Sequence, residues 1–190
     1  ENYWLDAKKT SPYKFYQFWV NATDEDAERF IKFYTFLPKE EIEALVEEHK
    51  TAPHERKLQK KLAEEVTVWV HGKEEYEKAL KASEILFGRS TAEDLVSLDE
   101  ELFLQIFDGV PQAEVTKSEV LGCNIIDLLS EKSGFLKSKG EAKRELQGNA
   151  ISVNKEKVKD DFVAAEKDLI DGKFLLLQKG KKQYFIVKAV

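Results

Sequence analysis

The chain has 190 residues, 42% of them hydrophobic and 35% charged, enough for one large or two small domains of a globular protein. No apolar run reaches the roughly 20 residues of a membrane helix, and no secretory signal opens the sequence, so neither a membrane span nor secretion is expected. The single cysteine, Cys123, excludes an internal disulfide and fits a reducing cytosol. Because the sequence contains no methionine, even at position 1, we expect it to be a piece of a longer chain.

The formal net charge of −6 conceals an asymmetry along the chain. Residues 137–190 carry 13 Lys and Arg against 8 Asp and Glu, whereas residues 1–136 carry 17 against 28. An acidic body followed by a basic tail is typical of proteins whose tail binds a polyanion. The charge pattern makes a nucleic acid a candidate partner without identifying one.

Hydrophobic residues recur at helical spacing from about residue 23 to residue 107. Thr23, followed by three carboxylates, predicts the first helix start, because a hydroxyl caps a helix N-terminus and acidic residues complement its positive end. Gly72 and Gly88 are expected to end the third and fourth helices. Further helices are predicted around five residues: Pro38, Pro53, Tyr76, Thr91 and Asp99.

The pattern changes after this helical stretch. Residues 110–115 have no helical period and include a proline, so a linker is predicted at residues 108–123. This linker would separate a mostly α N-terminal domain at residues 1–107 from a second domain at residues 124–190.

The second domain is predicted to be a small α+β unit, with short helices packed on a small sheet. Its first helix contains Ile125, and Ser138 is expected to cap the next one. A hairpin turn is predicted at residues 180–182. The β-type runs lie at residues 150–153, 174–177 and 184–187.

No catalytic or metal site is predicted from the residues. Cys123 is interpreted as a buried, inert thiol, and the acidic run at residues 40–48 as a solvated helix face. No glycine-rich loop has the spacing that cradles phosphates. The histidines have no zinc-ligand spacing: His49, His54 and His71.

Aromatic residues are concentrated near the start of the chain. Burial in the helical core, or against a neighbouring domain, is the favoured interpretation. A stacking surface needs only two or three exposed rings, so burial accounts better for seven. The alternative is base stacking, because Lys8, Lys9 and Lys14 interleave with the rings. The seven rings are Tyr3, Trp4, Tyr13, Phe15, Tyr16, Phe18 and Trp19.

The strongest local signal for a polyanion site is a basic helix start within residues 135–146. A helix N-terminus offers unpaired N–H groups that hold phosphates, although a solvated mixed-charge helix explains the same pattern equally well. Its basic residues are Lys137, Lys139, Lys143 and Arg144, and the turn at residues 154–157 adds two lysines. A second basic set is interpreted as ordinary surface: Arg56, Lys57, Lys60 and Lys61.

Several segments together resemble the bacterial tyrosyl-tRNA synthetases. The run from Tyr3 to Trp19 resembles the segment just after that family's ATP-binding signature loop, and residues 21–36 and 62–72 continue the likeness. The tail is similar to the family's C-terminal RNA-binding domain, of the type first defined in a small-subunit ribosomal protein and called here S-four-type. Its matching segments are residues 138–144, 149–154 and 180–184.

The resemblance implies a helical anticodon-side domain at residues 1–107 and an S-four-type RNA-binding domain at residues 124–190. It places a nucleotide-binding catalytic half before residue 1. This fragment is therefore expected to contain no catalytic residue, metal or cofactor and to have no ligase activity. The parent is expected to be a cytoplasmic, homodimeric class I ligase that attaches tyrosine to its tRNA using ATP with magnesium.

By position, the resemblance also implies residues that contact tRNA. Lys155 stands where the family often has glycine, so its turn is expected to be less able to adopt a positive φ. Asp24 is expected either to accept a hydrogen bond from a guanine edge of the anticodon or simply to cap its helix. The implied contacts in the tail are Lys137, Lys139, Lys143, Arg144, Asn154 and Lys155.

The predicted function is a grip on tyrosine tRNA. Lysine–phosphate contacts would supply affinity, and stacking or edge contacts at the unpaired anticodon would supply base choice. Two alternatives stay open. One is a helical protein-interaction module that docks a partner through residues 13–19, and the other is an RNA-binding appendage of another RNA-processing factor.

Overall fold

The computed structural model describes residues 2–87, 91–181 and 183–190, with the backbone alone for residue 87. The chain divides into two compact units, Glu1–Leu86 and Phe87–Val190. None of the helices in the described ranges combines the length and the apolar character needed to cross a bilayer.

The first unit is built from helices around a central one. Its helices are α1 (Pro12–Val20), α2 (Asp24–Tyr34), α3 (Lys39–Thr51), α4 (Lys57–His71) and α5 (Lys73–Phe87). Helices α1, α2 and α3 all pack against α4. Leu58, Leu62 and Val66 are almost fully buried because their four-residue spacing places them on one face of α4.

Capping side chains begin the helices where the sequence predicts. The Thr23 hydroxyl accepts a hydrogen bond from the Asp26 amide at 3.1 Å. At Thr91, Asp99 and Ser138 the side chain likewise accepts a hydrogen bond from the amide three residues later, and a helix begins after each of them. Gly72, with φ of 88°, ends α4 as predicted, whereas the end predicted at Gly88 lies outside the described residues.

The helix start predicted at Pro53 is wrong. Pro53 opens only a short 3-10 turn, Pro53–Glu55, and α4 begins at Lys57. The cause is Arg56, whose φ of 54° lies in the left-handed region and interrupts the helical path.

The second unit combines short helices with a five-stranded sheet in the described ranges. The strands are β1 (Gln112–Val115), β2 (Ile151–Val153), β3 (Glu156–Lys157), β4 (Phe174–Lys179) and β5 (Gln183–Ala189). Their order is β1-β5-β4-β2-β3, with β1 parallel to β5 and the other pairs antiparallel. The helices are α6 (Ala92–Val96), α7 (Glu100–Ile106), α8 (Lys117–Val120), α9 (Ile125–Asp127) and α10 (Lys139–Gln147).

One hydrophobic core holds the second unit together. Helix α9 continues into a π-helical turn, Leu128–Lys132, and α10 contributes an inward apolar stripe. These segments bury their side chains with the inner residues of the sheet: Ile125, Leu128, Leu129, Ala142, Leu146, Ile151, Leu175, Leu177 and Val187. The predicted fold class, a helical N-terminal part followed by a small α+β part, is confirmed.

The segment predicted as a linker, residues 108–123, contains an edge strand and a short helix. Strand β1 pairs with β5 from Gln112↔Ile186 to Val115↔Ala189, and the Lys117 amide donates to the Val190 carbonyl at 2.7 Å. The partner strand lies about seventy residues further along the chain, so this pairing leaves no signal in the local sequence pattern.

The helices just before that segment also pack within the second unit. The ring of Phe103 stacks on that of Phe174 with 5.0 Å between centroids, and the Glu100 amide donates to the Asp171 carboxylate at 3.0 Å. Along the chain, the two compact units therefore meet between Leu86 and Phe87, and the predicted extent of the helical domain, residues 1–107, stays a prediction. In the predicted hairpin between β4 and β5, Lys182 lies outside the described residues.

Candidate nucleic-acid interface

Asp24, the first residue of α2, is held by two buried side chains. Its Oδ1 accepts from Gln59 Nε2 at 2.6 Å and lies 2.9 Å from His49 Nε2. His49 is 5% exposed and Gln59 0%, while the Asp24 side chain remains 59% exposed. The bond from His49, followed by that from Gln59, lowers the pKa of the Asp24 carboxyl. The first unit thus presents an ionised carboxylate at its surface in a fixed orientation.

The loop that carries Asp24 is fixed by Arg56. The guanidinium donates to the carbonyl of Val20 at 2.8 and 3.3 Å and to that of Ala22 at 2.8 Å. These bonds satisfy carbonyls at the C-terminal end of α1, where a helix leaves acceptors unpaired. Three side chains therefore hold the start of α2 and the loop before it: His49 of α3, Gln59 of α4 and Arg56 just before α4.

The second basic set is not an unpaired cationic face. Arg56 turns inward to the loop, as described above. Lys57 pairs with Glu48 and Glu55, and Lys61 pairs with Glu65 at 2.7 Å. Lys57 and Lys61 are thus engaged in ion pairs, whereas Arg56 has a structural role that the sequence pattern does not reveal.

An open cleft of about 640 Å³ lies along α1 and the start of α2. Its rings are those of Tyr3, Tyr13, Phe18 and Phe30. The Tyr3 and Phe18 centroids are 4.5 Å apart. Lys9 and Lys14 supply positive charge, with Lys9 Nζ 4.3 Å from the centre of the Trp4 ring. Its polar lining includes three residues of the loop and the first turn of α2: Asn21, Thr23 and Asp26.

The aromatic residues near the start divide into two groups. Tyr3, Trp4 and Phe18 are 42%, 49% and 36% exposed, which leaves enough ring surface for stacking a base. The other four are buried, so the burial prediction is confirmed for them: Tyr13, Phe15, Tyr16 and Trp19.

The basic residues predicted in the tail as a helix start lie in helix α10 or just before it. The Ser138 hydroxyl accepts from the Glu141 amide at 3.1 Å, and the Glu141 carboxylate accepts from the Lys137 amide at 2.9 Å, so this helix start is doubly capped. The side chains at the helix N-terminus and on its outer face are exposed: Lys137, Lys139, Lys143 and Arg144.

The four basic residues differ in their local partners. Lys139 forms ion pairs with Asp127 at 2.7 Å and Glu131 at 3.0 Å, and the bond to Asp127 is the main reason that its pKa is raised. Lys143 and Arg144 form no ion pair with any described residue. A phosphate would meet Lys143 and Arg144 directly, whereas it would compete with two carboxylates for Lys139.

Asn154 and Lys155 form the two-residue turn between β2 and β3. Their φ values are 47° and 69°, the pattern of a turn that suits the right-handed twist of a hairpin. The lysine thus adopts the positive φ that its side chain disfavours. Desolvation by burial lowers the pKa of Lys155.

The Asn154 side chain is used inside the protein. It is 3% exposed, its Nδ2 donates to the Asp168 carbonyl at 2.6 Å, and its Oδ1 accepts from the Leu176 amide at 3.0 Å. This geometry ties the turn to β4. It gives Asn154 a role in holding the turn and presents no side-chain group of Asn154 to RNA.

The remaining candidates for chemistry are the single cysteine and the metal-ligating residue types. Cys123 is partly buried, its Sγ donates to the Asn124 carbonyl at 3.4 Å, and burial raises its pKa. Among the described residues no group of three or more His, Cys, Asp or Glu could hold a metal ion.

The sequence analysis does not predict the roles of His49 and Gln59 beside Asp24. Gln59 follows the same spacing as Leu62, Ala63 and Val66, so its amide points into the core from the inward face of α4. A polar residue at an inward helical position is the available sequence signal for such a role.

Two family models match the chain in succession. The model for tRNA synthetases class I (W and Y) matches residues 1–88, and the model for the Tyrosine--tRNA ligase SYY-like C-terminal domain matches residues 103–187. The Tyrosine--tRNA ligase of Flavobacterium johnsoniae is 63% identical over 190 residues, which are 100% of this chain and 44% of that protein. The chain belongs with the C-terminal part of the bacterial tyrosyl-tRNA synthetases.

Other tyrosyl-tRNA synthetases match over the same extent. That of Bacteroides thetaiotaomicron is 52% identical over 99% of this chain and 44% of its own length. That of Porphyromonas gingivalis is 48% identical over 98% of this chain and 44% of its own length. The chain therefore spans less than half the length of these synthetases, and the first family model ends next to the boundary between the compact units.

Proposed function

We propose that the chain is the tRNA-gripping part of a tyrosine–tRNA ligase. The observation that carries this proposal is that the first unit holds an ionised Asp24 in a fixed orientation. The exposed rings of that unit and the doubly capped basic helix of the second unit add to it. The names of the relatives support tyrosine tRNA as the RNA. The proposed setting is protein synthesis in the cytoplasm.

The two units would contact different parts of the tRNA. In the first unit, Asp24 would accept hydrogen bonds from the edge of an unpaired anticodon base, and the neighbouring cleft would stack a base on Tyr3 or Phe18. Unpaired RNA bases are read in this way, by aromatic stacking and edge contacts. Lys9 and Lys14 would balance the phosphate charge at the cleft.

In the second unit, the phosphates would meet α10. Lys143 and Arg144 supply the main contacts, Lys137 a further contact at the helix N-terminus, and Lys139 a contact weakened by its ion pairs. Lys155 would contribute from the neighbouring turn that Asn154 holds in place. Because phosphate contacts are independent of sequence, this unit would supply affinity rather than discrimination.

The ligase activity would belong to the parent protein. The relatives' names and the class I family model support a parent that joins tyrosine to its tRNA with ATP. Magnesium would accompany the ATP. The catalytic half of the same chain and a homodimeric parent complete the proposal. This chain alone would bind tRNA without catalysis.

Of the alternatives, the protein-interaction module loses its proposed surface. It relied on the face at residues 13–19, where Tyr13, Phe15, Tyr16 and Trp19 are buried. An RNA-binding appendage of another factor gains no support, because the tyrosyl-tRNA synthetases match the helical half as well as the tail.

The direct test is binding of the chain to tyrosine tRNA in competition with a second tRNA at low salt. The proposal expects the tyrosine tRNA to be preferred and both to be bound. Absence of binding to either RNA in low salt would overturn the proposal. A protein partner bound by the same preparation would then favour the interaction module.

A further inference from the structure

We infer that His49 and Gln59 are positioning residues that orient the Asp24 carboxylate for a base presenting N–H donors. The inference rests on the proposed function, because it concerns how Asp24 reads RNA. It assigns a recognition role to two side chains that are almost completely buried, at 5% and 0% exposure.

Three separate elements converge on one atom. Asp24 begins α2, His49 belongs to the last turn of α3, and Gln59 lies in the first turn of α4. Both nitrogens approach the same oxygen, Oδ1, at 2.9 and 2.6 Å. No described residue bonds Oδ2, and the side chain is 59% exposed, so the second oxygen faces solvent. An ionised carboxylate is an acceptor only, which makes Oδ2 a defined acceptor for a ligand donor.

Helix capping does not account for this arrangement. The N-cap of α2 is Thr23, whose hydroxyl accepts from the Asp26 amide. The Asp24 carboxylate instead bonds to side chains of other helices, which is unnecessary for starting α2. The capping interpretation therefore belongs to Thr23, and the bonds of Asp24 require another explanation.

The buried partners leave polar atoms unsatisfied. His49 Nδ1 and Gln59 Oε1 have no hydrogen-bond partner within the described part of the chain, and unpaired buried polar atoms oppose folding. An apolar residue of similar size at position 59 would avoid that cost. The amide contributes through its bonds to Asp24 and to the Ala22 carbonyl at 3.4 Å, both in the loop that enters α2.

The chemistry of the site selects a class of base. A carboxylate oxygen accepts from a ring N–H or an amino group, and guanine presents both on its Watson–Crick edge. Adenine presents an amino group beside an unprotonated ring nitrogen, which would repel the carboxylate. The fixed orientation of Oδ2 would therefore favour guanine over adenine at the base that Asp24 reads.

The test compares variants of the whole chain in binding an RNA anticodon arm with guanine or adenine at its first anticodon position. His49→Phe removes the donor and keeps a buried ring, whereas His49→Gln keeps an N–H donor. Gln59→Leu removes the amide, and His54→Phe changes an exposed histidine as a matched control. Carbon-13 NMR of the Asp24 carboxyl, with circular dichroism to confirm folding, accompanies each variant.

The inference expects His49→Phe and Gln59→Leu to reduce the guanine preference by about fivefold or more, since each removes a hydrogen bond to a charged group. Both should raise the pKa of Asp24 towards its ordinary value and leave the salt dependence of binding unchanged. His49→Gln, which keeps a donor at position 49, should retain part of the guanine preference that His49→Phe loses. His54→Phe should alter none of these. If Gln59→Leu does not fold, His49→Phe and His49→Gln decide the outcome.

Asp24→Asn separates the inference from the proposed function. If Asp24→Asn abolishes the guanine preference while folded His49→Phe leaves it intact, the positioning role is overturned and the reading role of Asp24 stands. If Asp24→Asn changes nothing, both are overturned, although the grip of the second unit on phosphates could still be measured by its salt dependence.

Discussion

The two units hold their candidate RNA-contacting side chains in opposite ways. In the first unit the basic residues Arg56, Lys57 and Lys61 are engaged by carbonyls or carboxylates of the same unit, and an acidic residue, Asp24, is presented to solvent in a fixed geometry. In the second unit Lys143 and Arg144 carry charge without an ion-pair partner among the described residues. A charge count alone does not distinguish these uses, because it registers neither the partner nor the orientation of a side chain.

In the proposed function, this difference would give discrimination to one unit and affinity to the other. A carboxylate held by buried donors selects a base that presents N–H donors at the right position. It repels any acceptor or phosphate that approaches it. Flexible, unpaired basic side chains attract every polyanion with similar strength. Each prediction below changes one unit's contribution and leaves the other's in place.

The largest effect is expected from Lys143→Ala combined with Arg144→Ala. Loss of two phosphate contacts should weaken binding to every tRNA by the order of a hundredfold near 50 mM salt and flatten the salt slope by about 0.7–0.9 log units per contact. Binding measured over a salt series checks both values. Lys139→Ala should change the slope less, because Asp127 and Glu131 already neutralise that lysine.

The matched control for that double variant is Lys50→Ala with Lys78→Ala. Both lysines lie in the first unit and pair with glutamates, so binding should stay within about twofold, as surface ion pairs contribute little. An equal loss of affinity in the control would mean that general charge, rather than α10, supplies the grip.

A smaller effect is expected from Asn154→Ala, through stability rather than direct contact. Removing the amide leaves the Leu176 amide and the Asp168 carbonyl without their partner, which should lower the free energy of unfolding by about 1–3 kcal/mol. Chemical denaturation measures this change. A variant as stable as the wild type that nevertheless bound tRNA poorly would instead place Asn154 at the RNA.

Lys155→Gly should act in the opposite direction. Glycine adopts a φ of 69° without the penalty of a side chain, so the free energy of unfolding should rise by up to about 1 kcal/mol. The same denaturation experiment tests this, with Lys157→Gly in the neighbouring strand as a control expected to destabilise. Destabilisation by Lys155→Gly would show that the lysine side chain contributes more than its backbone strain removes.

The smallest effect is the pH dependence linked to Asp24. Because its folded-state pKa is lowered, Asp24 stabilises the fold above its unfolded pKa of about 3.9, and this contribution is lost as the pH falls through the folded value. The stability difference between the wild type and Asp24→Asn should therefore be present near pH 7 and shrink in acid. Thermal unfolding from pH 7 to pH 2.5 checks it, and a difference that grows in acid would contradict the assigned hydrogen bonds.

The sequence predicts the helix starts well because capping is local chemistry. Thr23, Thr91, Asp99 and Ser138 each bond an amide three residues later, and that pattern can be read directly from the chain. The start predicted at Pro53 fails because proline fixes its own φ and says nothing about the left-handed Arg56 that follows.

Pairing between distant segments could not be read in the same way. Strand β1 exists because β5 lies beside it, and its own residues alternate too weakly to indicate a strand. The basic residues of α10 were predicted correctly as one group, yet their ion pairs depend on Asp127 and Glu131, which the fold brings near Lys139. The internal role of Asn154 likewise depends on β4.

The most direct test of the account is a salt titration of binding to tyrosine tRNA and to the same tRNA with its first anticodon base changed from guanine to adenine. The account predicts equal salt slopes for the two RNAs, because α10 meets the same phosphates, and a lower affinity for the adenine form at every salt concentration. Equal affinities would contradict base reading by the first unit, and a slope near zero would contradict the phosphate grip of the second.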